Sequence, residues 1–378
     1  MKRFLAFTLC LCLTLCLFGC AEKDDRVTIN VYNWGQYISE GNDGCIDVIR
    51  EFEAAYPDIK VNYVTFDSNE TMYAKMAGGG ITVDVIIPSD YMVGRLIEEN
   101  MLMELNFDNI PNARHIDSRF LNPDYDPENK YSVPYAWGTV GIIYNSKYVK
   151  EEDVTGWEIL WNENAQGEQL DYAGKILMFD NSRDAFCIAQ NLLDYDINTT
   201  DPQELLHCAQ KLAEQRPVVQ QYIMDQVFDL MENEEAWIAP YYAGDYLTMA
   251  DENENLCFYL PEDQGFNKFV DAMCIPTCCE EKEAAETFIN FLCEPEIAGG
   301  NMDWICYSTP LSEESGVKDF MDPEVAYDPI CYPPDELLDP DGDGRYDYGY
   351  IALPRETTRL MEELFMQVRN RIPIHLPD

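Results

Sequence analysis

The chain of 378 residues is 47% apolar and 12% aromatic, which excludes a disordered polymer and exceeds what one hydrophobic core covers, so two lobes or domains are expected. Seventy acidic side chains against 25 basic ones give a net charge of −45. A field of that sign repels nucleic acid and anionic lipid, which excludes both as direct partners, and it attracts cations.

Residues 1–20, MKRFLAFTLCLCLTLCLFGC, open on Lys2 and Arg3 and run uncharged from Phe4 to Phe18. The run is shorter than the ~20 residues a membrane-spanning helix needs. A basic start and an apolar middle make a secretion signal, and Leu17-Phe18-Gly19-Cys20 is the L-x-G-C pattern of bacterial lipoproteins. Residues 1–20 are therefore predicted to be a lipoprotein signal peptide and Cys20 the lipidated residue. The protein is then extracytoplasmic and anchored to the cell membrane, in a periplasm or on the outer face. Removing Lys2 and Arg3 from the 25 basic side chains leaves 23 against 70 acidic, a net charge near −47. Removing Cys10, Cys12, Cys16 and Cys20 from fourteen cysteines leaves ten. An even number in an exported protein suggests disulfides. Yet Cys278 and Cys279 are adjacent, the others are scattered, and no cluster has zinc spacing. Disulfides and buried thiols both remain open.

After a short linker, 21–26, strands and helices alternate. Residues 27–32 alternate apolar and polar as a half-buried strand does. Ile46, Ile49 and Phe52 recur at helical spacing until Tyr56-Pro57. Residues 61–66 form a second strand, 69–77 a helix stopped by Gly78-Gly79-Gly80, and 83–87 an apolar strand broken by Pro88-Ser89. Further strands are predicted at 140–144, 175–179, 236–239 and 272–275. Helices are predicted around 184–194 and 203–214, and from 352 to 371 with Met361, Leu364 and Val368 on one face. The alternation predicts an α/β fold with helices covering the sheets, and ligands beyond the carboxyl ends of strands. No internal repeat or long low-complexity linker is visible.

Catalytic signatures are missing. His115, His207 and His375 stand near no nucleophile pattern, and no phosphate loop, dinucleotide fingerprint or H-E-x-x-H occurs. With this many carboxylates some hydrolytic pair can always be drawn, so an extracellular carboxylate-dependent hydrolase is kept only as an alternative. What recurs instead is an aromatic close to an acid or hydroxyl near a strand end: Trp34 and Tyr37, Ser89-Asp90-Tyr91, Asp180 to Asp184, Tyr241-Tyr242, and Phe269-Val270-Asp271. Aromatic faces attract ammonium groups and carboxylates give them charge-assisted hydrogen bonds. One such aromatic is more often core than ligand wall. Their repetition in an acidic exported protein favours a cation-binding cleft.

These segments carry a resemblance. Val31-Tyr32-Asn33-Trp34 with Tyr37, Ser68-Asn69-Glu70-Thr71-Met72-Tyr73-Ala74-Lys75, and Pro88-Ser89-Asp90-Tyr91 are similar to the spermidine/putrescine-binding proteins of ABC importers. So are Tyr131-Ser132-Val133-Pro134-Tyr135, Trp137-Gly138, Trp157 with Leu160-Trp161, Asn198-Thr199-Thr200-Asp201-Pro202, and Phe288-Ile289-Asn290-Phe291-Leu292. The likeness runs in constant order from about residue 27 to about residue 310, and more faintly beyond. It implies a two-lobed periplasmic-binding-protein fold, type II-like, with a polyamine between lobes 27–136 plus 270–309 and 137–269 plus 310–378. It further implies a monomer that catalyses nothing and hands its ligand to an import permease. The residues it assigns to the ligand are Trp34, Tyr37, Ser89, Tyr91, Asp180, Asp184, Tyr241, Phe269, Asp271 and Tyr307. Two positions that are often tryptophan in this family are Tyr241 and Phe269 here. Adjacent Tyr241-Tyr242 also resembles ferric-iron-binding relatives, the second alternative, although no His/Glu set stands nearby.

Residues 339–347, DPDGDGRYD, have the D-x-D-x-D-G spacing of calcium loops, with oxygen ligands at alternate positions. Asp339, Asp341, Asp343 and Asp347 are the candidate ligands of a structural calcium, against the plainer reading of an acidic surface turn. Tyr350 stands where an EF-hand carries its bidentate Glu, so that motif is incomplete.

Overall fold

The computed structural model describes residues 24–339 and 349–377. The signal peptide, Cys20, Asp341, Asp343 and Asp347 lie outside them. Among the described residues no helix is long and apolar enough to cross a membrane.

Among the described residues nine strands follow one another: β1 Val27–Trp34, β2 Ile59–Phe66, β3 Val85–Ile86, β4 Ser132–Asn145, β5 Ile176–Phe179, β6 Val219–Ile223, β7 Ile238–Tyr242, β8 Leu256–Tyr259 and β9 Lys268–Cys274. Their order is β2-β1-β3-β9-β4-β7-β5-β6, with β8 beside β4. The long strand β4 belongs to two sheets at once. Its first half pairs antiparallel with β9, from Ser132 opposite Cys274 to Thr139 opposite Lys268. Its second half pairs with β7 on one edge and β8 on the other. All fourteen residues are buried, as the continuous apolar run of a strand covered on both faces should be. The register slips between Pro134 and Ala136, where the proline has no N–H to give the ladder.

Strands β1 and β2 run parallel in register, as do β1 with β3 and β5 with β6 and β7. Parallel neighbours need crossover helices, and these are present. Helix Asn69–Ala77 has the bounds the sequence predicts, because Ser68 and Thr71 form a reciprocal capping box. It ends before Gly79 and Gly80, both at positive φ, so the glycine run is a helix stop. Helix Pro202–Gln215 starts on an Asp201 cap with proline at its first position. Helix Arg355–Arg369 buries Met361, Leu364 and Val368 as the spacing predicts, against helices Ser182–Leu192 and Pro202–Gln215.

Three expectations change. The strand foreseen at 140–144 begins eight residues earlier, because Pro134 and Gly138 disguise a buried strand as a loop. The strand foreseen at 83–87 keeps ladder geometry only at Val85–Ile86. The third concerns position within strands: Tyr241 and Tyr242 are the last residues of β7, and Asp271 sits in the middle of β9, not beyond a strand end. The cysteines from Cys187 to Cys331 are thiols, six of them buried, so the exported chain is held by its core in this region and not by disulfides.

Candidate functional site

One cavity, with about 710 Å³ of space not filled by atoms, opens where the two sheets meet. Its walls come from the carboxyl ends of β1, β3, β5 and β7, as the α/β rule requires, together with β9. Five carboxylates line it: Glu70, Asp184, Asp225, Asp245 and Asp271. So do eight aromatic rings: Trp34, Tyr37, Tyr91, Tyr241, Tyr242, Phe269, Tyr307 and Tyr350. Among the described residues no Lys, Arg or His lines it.

Asp271 is only 4% exposed. Tyr37 donates from Oη to Asp271 Oδ2 at 2.7 Å, while Oδ1 is buried with no hydrogen-bond partner. Burial pushes this carboxyl up to about 6, although Ser89 and Tyr37 pull the other way and the nearby Asp184 adds to the rise. Several contacts hold the pair in place. The Tyr37 carbonyl accepts from Tyr135 Oη at 2.6 Å, and Tyr135 Oη in turn accepts from Asn301 Nδ2 at 2.8 Å. Ser89 forms an isolated backbone bridge with Asp271. Between them the fully buried Asp90 accepts from the backbone N–H of Tyr91 at 2.6 Å and of Val270 at 3.3 Å. Asp90 thus ties the helix that starts beside Tyr91 to the strand that carries Asp271.

Across the cavity, Asp184 lies in the first turn of helix Ser182–Leu192, whose N-cap is Asn181. Its Oδ2 accepts from Asn181 Nδ2 and Tyr242 Oη, both at 2.7 Å, and its Oδ1 from Tyr350 Oη at 2.8 Å. Tyr91 donates to Glu70 at 2.9 Å and accepts from Asn69 at 3.0 Å. Burial raises the Glu70 carboxyl. Burial also pushes Asp245 up to about 8, with Asp225 and Asp271 adding to it and the Tyr307 hydroxyl opposing. Asp225, at the rim, is raised by desolvation and by Asp67. The rings form a nearly continuous wall of edge-on contacts: Tyr241–Tyr242 at 4.9 Å, Tyr242–Phe269 at 5.4 Å and Tyr37–Tyr307 at 4.8 Å between centroids.

Of the ten residues assigned from sequence, nine line this cavity: Trp34, Tyr37, Ser89, Tyr91, Asp184, Tyr241, Phe269, Asp271 and Tyr307. Asp180 does not. The backbone turns after β5 so that Asn181 faces the cavity, and Asp180 pairs with Arg369 Nη1 at 2.5 Å. The polyamine assignment from sequence left out Asp225, Asp245, Tyr242, Tyr350 and Glu70, which also line the cavity. Asp245 carried a usable signal, since it follows Tyr241-Tyr242 by one helical turn. Asp225 and Tyr350 carried none, being placed by tertiary contacts alone. Of the calcium candidates only Asp339 is described, and the described residues contain no group of three His, Cys, Asp or Glu side chains placed to hold a metal ion.

Residues 47–329 match the model of a family described as bacterial extracellular solute-binding protein. The chain belongs to the bacterial extracellular solute-binding protein family, whose members bind solutes and are not enzymes. It is 31% identical over 330 residues to the spermidine/putrescine-binding periplasmic protein of Escherichia coli, covering 87% of this chain and 89% of that one. It is 28% identical to a putrescine-binding periplasmic protein of Pseudomonas aeruginosa, over 98% of this chain and 99% of the other. A solved structure titled as a putative spermidine/putrescine ABC transporter from Listeria monocytogenes superposes with a TM-score of 0.80. It shares 33% identity and covers 90% of this chain and 98% of its own. A spermidine/putrescine substrate-binding protein of Streptococcus pneumoniae, solved in complex with calcium and HEPES, gives 0.72 at 32% identity, over 91% and 99%. The two-lobed binding-protein fold expected from the sequence is therefore the fold of this chain.

Proposed function

We propose that this protein captures a polyamine, spermidine and/or putrescine, outside the cytoplasm and delivers it to an ABC import permease. The observation that carries the reading is the cavity itself, with five carboxylates, aromatic walls, no basic side chain among the described residues, and a buried Asp271 oxygen without a partner. A methylene chain suits the rings, and each ammonium suits a desolvated carboxylate. The names of the relatives support the same ligand class. Trp34, Tyr37, Ser89, Tyr91, Asp184, Tyr241, Phe269, Asp271 and Tyr307 contact the ligand in this reading, and Asp180, paired with Arg369, does not.

The lobes are 27–136 plus 270–309 and 137–269 plus 310–378, hinged where β4 changes sheets. The chain from 310 to 320 also packs on the first lobe, through the Ile116–Leu311 bridge and the contact of Val317–Phe320 with helix Pro295–Ile305. Capture by an open cleft, closure that excludes water, docking and release complete the cycle. The protein acts as a monomer held at the membrane by a lipid on Cys20, and the loop containing Asp339 takes a structural calcium. Ferric iron fits less well, because the Tyr242 hydroxyl is already committed to Asp184.

A ligand that binds only the folded form stabilises it by about 2.7 kcal/mol at a hundred times its Kd. Spermidine or putrescine should therefore raise the melting temperature, and 1,4-butanediol, which keeps the four-carbon chain without charge, should not. Equal effects of diol and diamine would overturn the reading.

A further inference from the structure

Residues 349–354 form neither helix nor strand, yet they deliver Tyr350, only 4% exposed, to the wall of the cavity. Such a segment has no ladder of its own, so its backbone groups must find partners elsewhere. Gly349 donates its N–H to the carbonyl of Lys268 at 2.8 Å. A Cβ at position 349 would overlap Asn267 Oδ1, so the glycine lets the chain lie directly against the start of β9.

The two backbone groups that flank Tyr350 both go to one side chain. Asn198 Nδ2 donates to the Gly349 carbonyl at 2.8 Å, and Asn198 Oδ1 accepts from the Ile351 N–H at 3.1 Å. The amide takes the place of a neighbouring strand, offering one donor and one acceptor in a fork. Arg183 fixes which way it faces. Its Nη2 donates to the same Oδ1 at 2.6 Å, and an amide nitrogen in that place could not accept. Arg183 is itself buried, donates to the carbonyls of Ile197 at 3.1 Å and Ile351 at 3.3 Å, and lies 4.3 Å from the centroid of the Tyr350 ring. Held in this way, Tyr350 donates from Oη to Asp184 Oδ1 at 2.8 Å, the oxygen opposite the one bound by Asn181 and Tyr242. Neither Asn198 nor Arg183 lines the cavity.

We infer that Asn198 is a positioning residue of the ligand site, one that acts through Tyr350 to orient Asp184 and touches no ligand itself. The inference rests on the polyamine reading above, in which Asp184 contacts the ligand, and deepens it. Without the amide, the Gly349 carbonyl and the Ile351 N–H lose their partner, and the segment must shift to satisfy them. The Tyr350 ring then leaves Arg183, and Asp184 loses the donor that holds its Oδ1. An ammonium meets a carboxylate that is no longer preorganised, and the ordering that the fold had supplied falls on the binding step.

The test is a calorimetric titration of the full-length protein with spermidine and putrescine, using Asn198→Ala, Tyr350→Ala and the double variant. Asn198→Ala should weaken binding by about tenfold, the cost of one to two lost hydrogen bonds. In the double variant the loss should equal that of Tyr350→Ala alone, because a residue that acts only through Tyr350 has nothing left to act on. A residue that merely supports the fold would multiply its own loss onto that of Tyr350→Ala. Losses that multiply, or wild-type affinity in Asn198→Ala, overturn the inference while the polyamine reading stands. A wild type that binds neither amine overturns both. Circular dichroism of the ligand-free variants separates lost binding from lost fold. Should Asn198→Ala not fold, the same cycle run with Asn198→Asp decides, since Asn198→Asp keeps the acceptor for Ile351 and Arg183 and loses only the donor to Gly349.

Discussion

The hydroxyl of Tyr37 donates to one oxygen of Asp271 at 2.7 Å and leaves the other oxygen of that carboxylate buried without a partner. The protein thus holds the acid in place with a neutral donor and keeps its charge for something that is not part of the chain. Asp271→Asn retains an acceptor for Tyr37 and removes the charge. It should weaken polyamine binding by about 3–5 kcal/mol, the cost of a desolvated ammonium without its counter-charge. Tyr37→Phe, which keeps the ring and loses one hydrogen bond, should cost on the order of 1 kcal/mol. The ligand-free melting temperature of Asp271→Asn should equal or exceed that of wild type, because a buried charge is removed and Asp184 loses a like-charged neighbour. Equal binding losses in the two variants would contradict this division of labour.

The same acids set a pH dependence. Asp271 at about 6 and Asp245 at about 8 both lie above the ordinary carboxylate range because burial disfavours their charged forms. Their folded-state values are raised, so the folded protein holds protons that the unfolded chain has given up. The stability they contribute is complete below about pH 4 and is lost as pH rises through 6 and then 8. Ligand-free protein should therefore melt at a lower temperature at pH 8.5 than at pH 5.5, and Asp245→Asn should flatten that slope. Polyamine affinity should move the opposite way, rising over the same interval, because the cation needs the ionised acids. Melting curves and titrations at pH 5.5, 7 and 8.5 check both signs.

Much of this architecture is legible in the sequence where local chemistry decides it. Helix Asn69–Ala77 is marked by its Ser68 cap and its glycine stop, and strands β1 and β2 by alternation. Strand β4 is not legible, because burial on both faces erases alternation and Pro134 reads as a break that the fold accommodates with a bulge. At the site, residues next to strand ends could be found, such as Trp34 and Ser89. Asp180 shows the limit of the rule. Counting from the end of β5 selects it, but the Asn181 cap rotates the chain so that Asn181 and Asp184 face the ligand space and Asp180 meets Arg369. Tyr350 enters the cavity after a long excursion of the chain, and only the folded structure brings it to Asp184.

Membrane attachment through Cys20 rests on the Leu17–Cys20 pattern. Two or more acyl chains give stable anchoring where one binds only reversibly. Cys20→Ala should release the protein into the soluble fraction of the producing cells. A variant that still sediments with membranes as wild type does would contradict the anchor.

Calcium at the loop that begins with Asp339 should stabilise only the folded form, by mass action. Excess calcium should raise the melting temperature and a chelator should lower it, with Asp341→Ala abolishing the difference. Identical melting under both conditions would leave an acidic turn.

Direct calorimetric titration of the ligand-free protein with spermidine, putrescine and 1,4-butanediol at pH 7.5 addresses the central claim, capture of a cation between carboxylates and aromatic walls. Saturable binding of at least one amine, at one site per chain and lost in Asp271→Asn, with no heat from the diol, is the predicted result. Absence of amine binding, or amine affinity unaltered in Asp271→Asn, would contradict it.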